Sequence, residues 1–224
     1  MEFQFKVVAL SEIEPTLRQH ISSLSSPIDS FLEDHILTAQ HYQIWRGNEL
    51  IGWTAVHGQT LLTQFGLLPA YRQWGQAAFA QVRKLETVNA AFVPTCDEFF
   101  LAHALDDYRQ LEKQAYFFQQ SSQRPAYQPA QPLRHRPATA EDVLAIQQLS
   151  DDFLDKLEKR VAEGQIYVTQ PTGSDELLGL GIIERGRLCD GVASCGMFVA
   201  ESARRQGIGA AIIANLMGCC AEMA

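Results

Sequence analysis

Residues 195 to 217, CGMFVAESARRQGIGAAIIANLM, constrain the fold more than any other stretch of the chain. An apolar strand pattern leads into a turn with two glycines, and an apolar helix pattern begins at those glycines. This order directs main-chain N–H groups and the positive end of a helix toward one point, where a phosphate or pyrophosphate is stabilised. Gly207 and Gly209 let the main chain approach an anion, and Arg204 and Arg205 add cationic donors. The stretch therefore predicts an anion-binding turn.

The spacing of the glycines excludes two common nucleotide-binding motifs. The dinucleotide fingerprint requires a third glycine three positions after the second, where this chain has Ile212. A Walker-type phosphate loop ends in Gly-Lys-Ser or Gly-Lys-Thr, and neither tripeptide occurs in the chain. The pattern that remains is Arg-x-x-Gly-x-Gly directly after a strand written GMFV.

The turn pattern occurs a second time, earlier in the chain and in weaker form. Arg72, Gly75 and Ala77 each lie 132 positions before the corresponding residue of the later turn. Upstream, ELIG at 49–52 is echoed by ELLG at 176–179, at an offset of 127. An internal repeat explains both offsets and predicts two domains with one fold.

Each copy carries a meander of strands flanked by helical patterns. In the first copy the predicted elements are a strand (3–9), two helices (11–24 and 28–39), three strands (41–46, 49–57 and 60–68), the helix after the turn, a parallel strand (89–95), a helix (97–112) and a strand (115–119). In the second copy a helix follows Thr139, the predicted N-cap, with Asp142 three residues on, and three strands follow it (165–170, 176–185 and 192–200). The predicted fold class is α+β, with a central, mostly antiparallel sheet and flanking helices in each domain.

A segment rich in Gln, Pro and Ser separates the two copies. We predict an N-terminal domain over residues 1–120, a linker over 121–132 and a C-terminal domain over 133–224. The second domain lacks the strand and helix that follow the turn helix in the first, so we predict that it is incomplete, as in a truncation of a longer protein. A homo-oligomer in which another chain fills the open sheet edge is left as an alternative.

On these residues the chain resembles the GNAT superfamily of N-acetyltransferases. The similarity lies in Arg-x-x-Gly-x-Gly after GMFV, in the domain opening RPATAED at 136–142, in the order of elements, and in LEKQAYF at 111–117, which is similar to the family's Tyr-Glu-Lys-x-Gly-Phe. The resemblance implies that the turn binds the pyrophosphate of acyl-coenzyme A, with acetyl-CoA as cosubstrate. It assigns cofactor binding to the following residues: Met197, Phe198, Val199, Arg204, Arg205, Gln206, Gly207, Ile208, Gly209 and Ala210, with a weaker second site at Arg72, Gly75 and Ala77.

The resemblance also implies how the strand before the turn contributes. In the family, main-chain groups at the end of that strand are splayed by a bulge and pair with the pantetheine as a neighbouring strand would. By resemblance these groups lie at Met197, Phe198 and Val199, where an N–H also faces the thioester oxygen.

Members of this family transfer the acyl group by direct attack of an amine on the thioester, which requires a base. Glu184, at the end of its strand, is the candidate base, and a solvated carboxylate beside Arg185 is the competing interpretation. Leu111 occupies the position of a tyrosine that often protonates the departing thiolate in the family, and Tyr108 is a substitute out of register. For Cys195 a covalent acyl intermediate stands against simple burial of a small side chain.

Composition limits the classes of partner, membrane association and metal that we expect for this protein. The net charge of −8 gives no reason to expect nucleic acid or an anionic membrane. The longest uncharged run, 206–221, is shorter than a bilayer span, and the N-terminus lacks a signal peptide, so we predict a cytoplasmic protein. The five cysteines have no framework spacing and no two histidines lie at i, i+4 spacing, so we predict no metal.

These observations predict an acyl-CoA-dependent N-acyltransferase that acetylates an amine of a small molecule or protein. A non-catalytic acyl-CoA sensor or protein-interaction module built on the same domains is the alternative. Leu111 and the incomplete second copy favour the alternative, whereas the intact motif from Arg204 to Gly209 favours the enzyme.

Overall fold

A computed structural model describes residues 2–85, 87–119 and 129–223. The chain divides into two compact units, Met1–Ala115 with Gly186–Val192, and Tyr116–Arg185 with Ala193–Ala224. Most of the predicted linker, residues 121–128, lies outside the described residues. The domain boundaries proposed above remain predictions.

The first unit is a five-stranded sheet with helices on both faces. Its elements are, in order, β1 (Gln4–Val8), α1 (Leu10–Ser22), α2 (Ser30–Leu37), β2 (Gln40–Arg46), β3 (Glu49–His57), β4 (Leu61–Leu67), a 3-10 helix (Pro69–Trp74), α3 (Gly75–Val82), β5 (Ala90–Ala91) and α4 (Glu98–Leu105). The strand order follows the chain, and all neighbours are antiparallel except the parallel pair β4 and β5. The predicted meander is confirmed, and the parallel strand predicted over 89–95 is present but reduced to Ala90–Ala91.

Helical periodicity explains how α1 packs. Ile13, Leu17 and Ile21 recur every four residues, and all three are buried. On the other side of the sheet, α3 and α4 cover a core that includes Phe65, Phe79 and Phe100. The sheet therefore separates two apolar layers, one under α1 and α2 and one under α3 and α4.

The second unit is a four-stranded antiparallel sheet with strand order β6-β7-β8-β9 in the described part of the chain. Its elements are β6 (Leu133–Pro137), α5 (Val143–Ser150), α6 (Leu157–Ala162), β7 (Ile166–Pro171), β8 (Gly179–Arg185), β9 (Ala193–Val199) and α7 (Ile208–Met223). One face packs against α5 and α6 through Ile146 and Val161. The other packs against α7, whose Ile208, Ile212 and Leu216 recur every four residues and are buried.

One predicted helix of the first copy is shorter than expected, and one predicted strand is absent. The helix predicted over 97–112 ends at Leu105, because the exposed residues that follow, DDYRQLE, offer no apolar face and begin with carboxylates that oppose the helix dipole. The strand predicted over 115–119 is absent, and Phe118 is 91% exposed. A strand needs a neighbour of its own length, and β5 has only two residues.

The apolar run of 206–221 forms most of α7, and no helix among the described residues is both long and apolar enough to cross a bilayer.

Candidate functional site

The main chain of the turn between β9 and α7 is in the left-handed region at two positions. Arg205 has φ of 64° and Gly207 has φ of 76°. An arginine in this region costs roughly 1–2 kcal/mol, so the turn holds a conformation that its sequence disfavours locally. The first helical hydrogen bond runs from the Ala211 N–H to the Gly207 carbonyl at 3.1 Å. The N–H groups of Ile208, Gly209 and Ala210 therefore have no intrahelical acceptor.

Two side chains of the turn donate to nearby main-chain carbonyls, and Ile208, the first residue of α7, is 1% exposed. Arg204 donates from Nε to the Val199 carbonyl at 3.3 Å, so its guanidinium folds back toward the end of β9. Gln206 donates to the Ser202 carbonyl at 3.0 Å, while Arg205 is exposed. Both arginines are exposed, and Arg204 is held in place by its hydrogen bond to the Val199 carbonyl.

Gly209 lies against the flexible end of the Met197 side chain, where α7 packs against β9. A Cβ at this position would lie 2.8 Å from Sδ and 2.9 Å from Cε of Met197, closer than atoms pack. The thioether end of Met197 thus occupies the space that a side chain at position 209 would need. Phe198 points to the opposite face of the sheet, where its ring centroid lies 5.2 Å from that of Phe153.

Within the described residues, β9 is the edge strand of its sheet. An edge strand presents unpaired main-chain N–H and C=O groups, which can pair with an extended ligand. The pairing of β8 with β9 is regular from Ala193 to Val199, so the bulge implied there by resemblance is absent. The bulge occurs in the first copy instead, where the register of β3 and β4 shifts between Ala55 and Val56.

The corresponding turn of the first copy is closed. The 3-10 helix Pro69–Trp74 runs directly into α3, and Gly75 donates its N–H to the Arg72 carbonyl. A Cβ on Gly75 would lie 2.2 Å from Nε2 of His103, and Arg72 stacks over the ring of Phe99 at 5.4 Å. Side chains from α4 therefore cover the start of α3, although Ala77 in its first turn is exposed.

Glu184 lies at the end of β8 opposite Ser194 of β9 and is partly buried. Its carboxylate forms an ion pair with Arg160 of α6. Arg160 also binds Asp155 at 2.7 Å and lowers the pKa of the Asp155 carboxyl. The interpretation of Glu184 as a carboxylate in bulk solvent beside Arg185 misses this partner, because 24 residues separate Arg160 from Glu184 and no local pattern joins them.

Residues 9–121, which are 113 of the 224 residues of the chain, match the family model of the acetyltransferase (GNAT) domain. The chain belongs to the GNAT acetyltransferase family. The matched residues cover the first copy, with its bulged strand pair and closed turn.

Solved structures with similar folds extend the likeness to both copies. A GNAT-family acetyltransferase from Colwellia psychrerythraea is 19% identical, with a TM-score of 0.84 over 98% of this chain and 86% of that one. A GCN5-related N-acetyltransferase from Sphaerobacter thermophilus is 15% identical, with a TM-score of 0.59 over 99% of this chain and 84% of that one. A tandem GNAT protein from the clavulanic acid biosynthesis pathway is 14% identical, with a TM-score of 0.53 over 96% and 85%. No curated protein matches the chain.

The two family positions discussed for acid catalysis in the first copy lie outside any helix. Tyr108 and Leu111 follow the end of α4 and are 58% and 71% exposed. Neither side chain is therefore held by packing, and neither is placed for proton transfer by a rigid element.

Cys195 is exposed as a residue, but its sulfur faces α7 at 3.6 Å from the sulfur of Cys220. Burial of the sulfur and its hydrogen bond with Cys220 raise the pKa of the Cys195 thiol to about 12. The thiolate is the nucleophilic form, so this environment disfavours a covalent acyl path in this GNAT domain.

A cavity of about 420 Å³ opens beside the second half of α7, between that helix and the strands β6 and β7. It is lined in part by His135, Tyr167 and Asn215 and includes none of the residues assigned to the cofactor. Burial lowers the pKa of His135, whose Nδ1 lies 2.8 Å from Oγ1 of Thr169.

Proposed function

We propose that this GNAT protein is an acyl-CoA-dependent N-acyltransferase that binds acetyl-CoA at the second-copy turn and transfers the acetyl group to an amine of a small molecule or protein. The observation that carries the proposal is the left-handed pair Arg205 and Gly207 ahead of α7. In the helix that follows this pair, the N–H groups of Ile208, Gly209 and Ala210 have no intrahelical acceptor. A pyrophosphate bears the charge and the acceptor oxygens that such a helix N-terminus binds.

Three parts of the chain each bind a different portion or charge of the cofactor. The N–H groups of Ile208, Gly209 and Ala210 bind the pyrophosphate, with Arg204 and Arg205 as charge-assisted donors. Hydrogen bonds to charged groups contribute roughly 1.5–3 kcal/mol each. The edge of β9 at Met197, Phe198 and Val199 pairs with the pantetheine as an added strand would and aligns the thioester.

Glu184 is the proposed base, acting on the amine directly or through a water molecule. Its ion pair with Arg160 fixes the carboxylate on the α5 and α6 face of the sheet. We expect Glu184→Gln to lower kcat while acetyl-CoA affinity is retained.

A matched pair of substitutions tests the location of the cofactor. Gly209→Asp and Ala77→Asp place one carboxylate at equivalent positions in the first turn of α7 and of α3. In titration calorimetry with acetyl-CoA, Gly209→Asp should abolish binding, because it adds negative charge and displaces Met197. Ala77→Asp, at an exposed position, should leave the affinity unchanged. Loss of binding in Ala77→Asp alone would move the site to the first copy.

A thiol-release assay separates the enzyme from the alternative function. Leu111, exposed at the tyrosine position of the first copy, favours a non-catalytic acyl-CoA sensor or interaction module. Release of CoA in the presence of an amine panel supports the transferase. Saturable acetyl-CoA binding without release for any amine supports the sensor, and absence of binding overturns both.

A further inference from the structure

His35 and His57 lie side by side in the first unit, outside every site described above. Their ring centroids are 4.5 Å apart with an interplanar angle of 54°. His35 is in the last turn of α2, and His57 is the last residue of β3. Both side chains are half-buried.

Hydrogen bonding fixes the tautomer of His35. Its Nδ1 lies 2.8 Å from the carbonyl oxygen of Phe31. A carbonyl oxygen only accepts, so Nδ1 must carry the proton and donate it. In the neutral ring Nε2 is then the nitrogen with a free lone pair.

The tautomer of His57 follows from its partner, Thr38. The Thr38 hydroxyl donates its one proton to the Asp34 carbonyl at 2.7 Å. Its oxygen therefore acts as acceptor toward Nδ1 of His57, at 3.2 Å. His57 thus also carries its proton on Nδ1 and leaves Nε2 unprotonated.

This hydrogen-bond arrangement is typical of metal-binding histidines, which donate the proton of the other ring nitrogen to a protein oxygen. The rings of Phe31 and Phe92, 4.3 Å and 6.3 Å from that of His35, form an apolar side to the pair.

We propose that His35 and His57 form a two-imidazole site for a divalent first-row transition metal, bound through both Nε2 atoms. Metal–nitrogen bonds of about 2.1 Å place each ring centroid about 3.2 Å from the ion, so two ligands about 90° apart have centroids about 4.5 Å apart. The observed separation of 4.5 Å matches that arrangement. Right-angled nitrogen ligands suit Ni²⁺ and Cu²⁺ better than tetrahedral Zn²⁺.

Water completes the coordination in this proposal. Among the described residues no group of three or more His, Cys, Asp or Glu side chains is placed to hold a metal ion. The competing thiols of the first unit are disfavoured, since burial raises the pKa of both Cys96 and Cys189. A thiol must lose its proton to bind a metal, whereas the two imidazoles already have free lone pairs.

Titration calorimetry of the full chain, free of any polyhistidine tag and stripped with a chelator, tests the site with Ni²⁺ as the probe. We expect one site per chain, and we expect His35→Gln or His57→Gln to weaken it at least tenfold. Thr38→Val, which removes only the partner of the His57 ring, should weaken it about tenfold. His135→Gln is the matched control, because His135 has a threonine partner at Nδ1 and is not part of this pair. Its affinity should not change.

Nitrogen-detected NMR of the unsubstituted protein gives a second readout that requires no variant. Without metal, both rings should show the Nδ1–H tautomer. On adding Ni²⁺, the ring signals of His35 and His57 should broaden together, before those of His135. A protonated Nε2 on either ring, absence of Ni²⁺ binding, or equal loss of affinity in the His135 control would each overturn the proposal.

Discussion

Buried His41 is expected to destabilise the first unit, and replacing it with leucine should stabilise that unit. His41 is 3% exposed, and neither ring nitrogen has a hydrogen-bond partner among the described residues. Its cross-strand neighbours are Val8 and Ala55, which offer no polar group. The ring has thus lost hydrogen bonds to water as donor and as acceptor without replacing either.

The magnitude follows from this count of two unsatisfied nitrogens. A buried polar group left unpaired costs about 1–3 kcal/mol, and leucine is close to histidine in volume, so little cavity or strain offsets the gain. We expect His41→Leu to raise the free energy of unfolding of the first unit by about 2 kcal/mol at pH 7.5.

The difference should grow in acid. Burial lowers the pKa of His41 in the folded state below its ordinary value of 6.5. As the pH falls below 6.5 the unfolded chain takes up a proton at His41 before the folded chain does, so the wild-type protein loses stability. Leucine has no such proton, and the advantage of the variant should therefore be larger at pH 5 than at pH 7.5.

Urea unfolding followed by tryptophan fluorescence isolates the first unit, because all three tryptophans, Trp45, Trp53 and Trp74, lie in it. His20→Leu is the matched control, since His20 bonds to buried Asp97 at 2.8 Å. That change leaves Oδ2 of the buried Asp97 carboxylate without its histidine partner, while Oδ1 still accepts from the Phe100 N–H, and it should cost about 3 kcal/mol. A destabilised His41→Leu variant, or a difference that does not change between pH 7.5 and pH 5, would refute the reasoning.

Three further substitutions or reagents test contacts elsewhere. Glu33 is 1% exposed and accepts main-chain N–H groups from 187–189 at 2.8–2.9 Å, so Glu33→Gln should cost the first unit about 2 kcal/mol in urea unfolding followed by tryptophan fluorescence. Asp142→Asn replaces one of the two oxygens that accept hydrogen bonds from Arg136 with an amide donor and should cost about 1 kcal/mol, seen as faster amide exchange in α5. The Arg136 guanidinium lowers the pKa of Asp142 below its ordinary 3.8, so this contribution should persist above pH 3.8 and be lost as the pH falls below it. Since burial raises the pKa of Cys195 to about 12, mass spectrometry should find it alkylated by iodoacetamide at pH 7.5 far more slowly than a free thiol.

Local patterns in the sequence predicted most of the secondary structure and the position of the candidate turn. Periodicity identifies α1 and α7 because each buries one residue every four, and alternation with tight turns identifies β2 to β4. The spacing of Arg204, Gly207 and Gly209 identifies a turn before a helix, which the structure contains at that place.

What the sequence could not predict depends on contacts between distant residues. His103 fills the space beside Gly75 from 28 positions away, so the closed first-copy turn is invisible in the motif itself. The apolar run 115–119 has the composition of a strand but no partner of sufficient length. His35 and His57 are 22 positions apart and meet only because α2 ends beside the end of β3.

The two copies differ in the features on which the proposed CoA site depends. In the first copy β5 pairs with β4 only at Leu61 and Leu62, so the part of β4 nearer the turn has no partner from β5. The turn that follows β4 is nevertheless covered by side chains of α4. In the second copy the turn is open and β9 is an edge strand, although its pairing with β8 is regular. The pyrophosphate supplies the charge and needs the open N–H groups, and strand pairing can only align a ligand that is already held. We therefore expect one acetyl-CoA per chain rather than two in calorimetry, and a stoichiometry of two would show that the closed turn opens on binding.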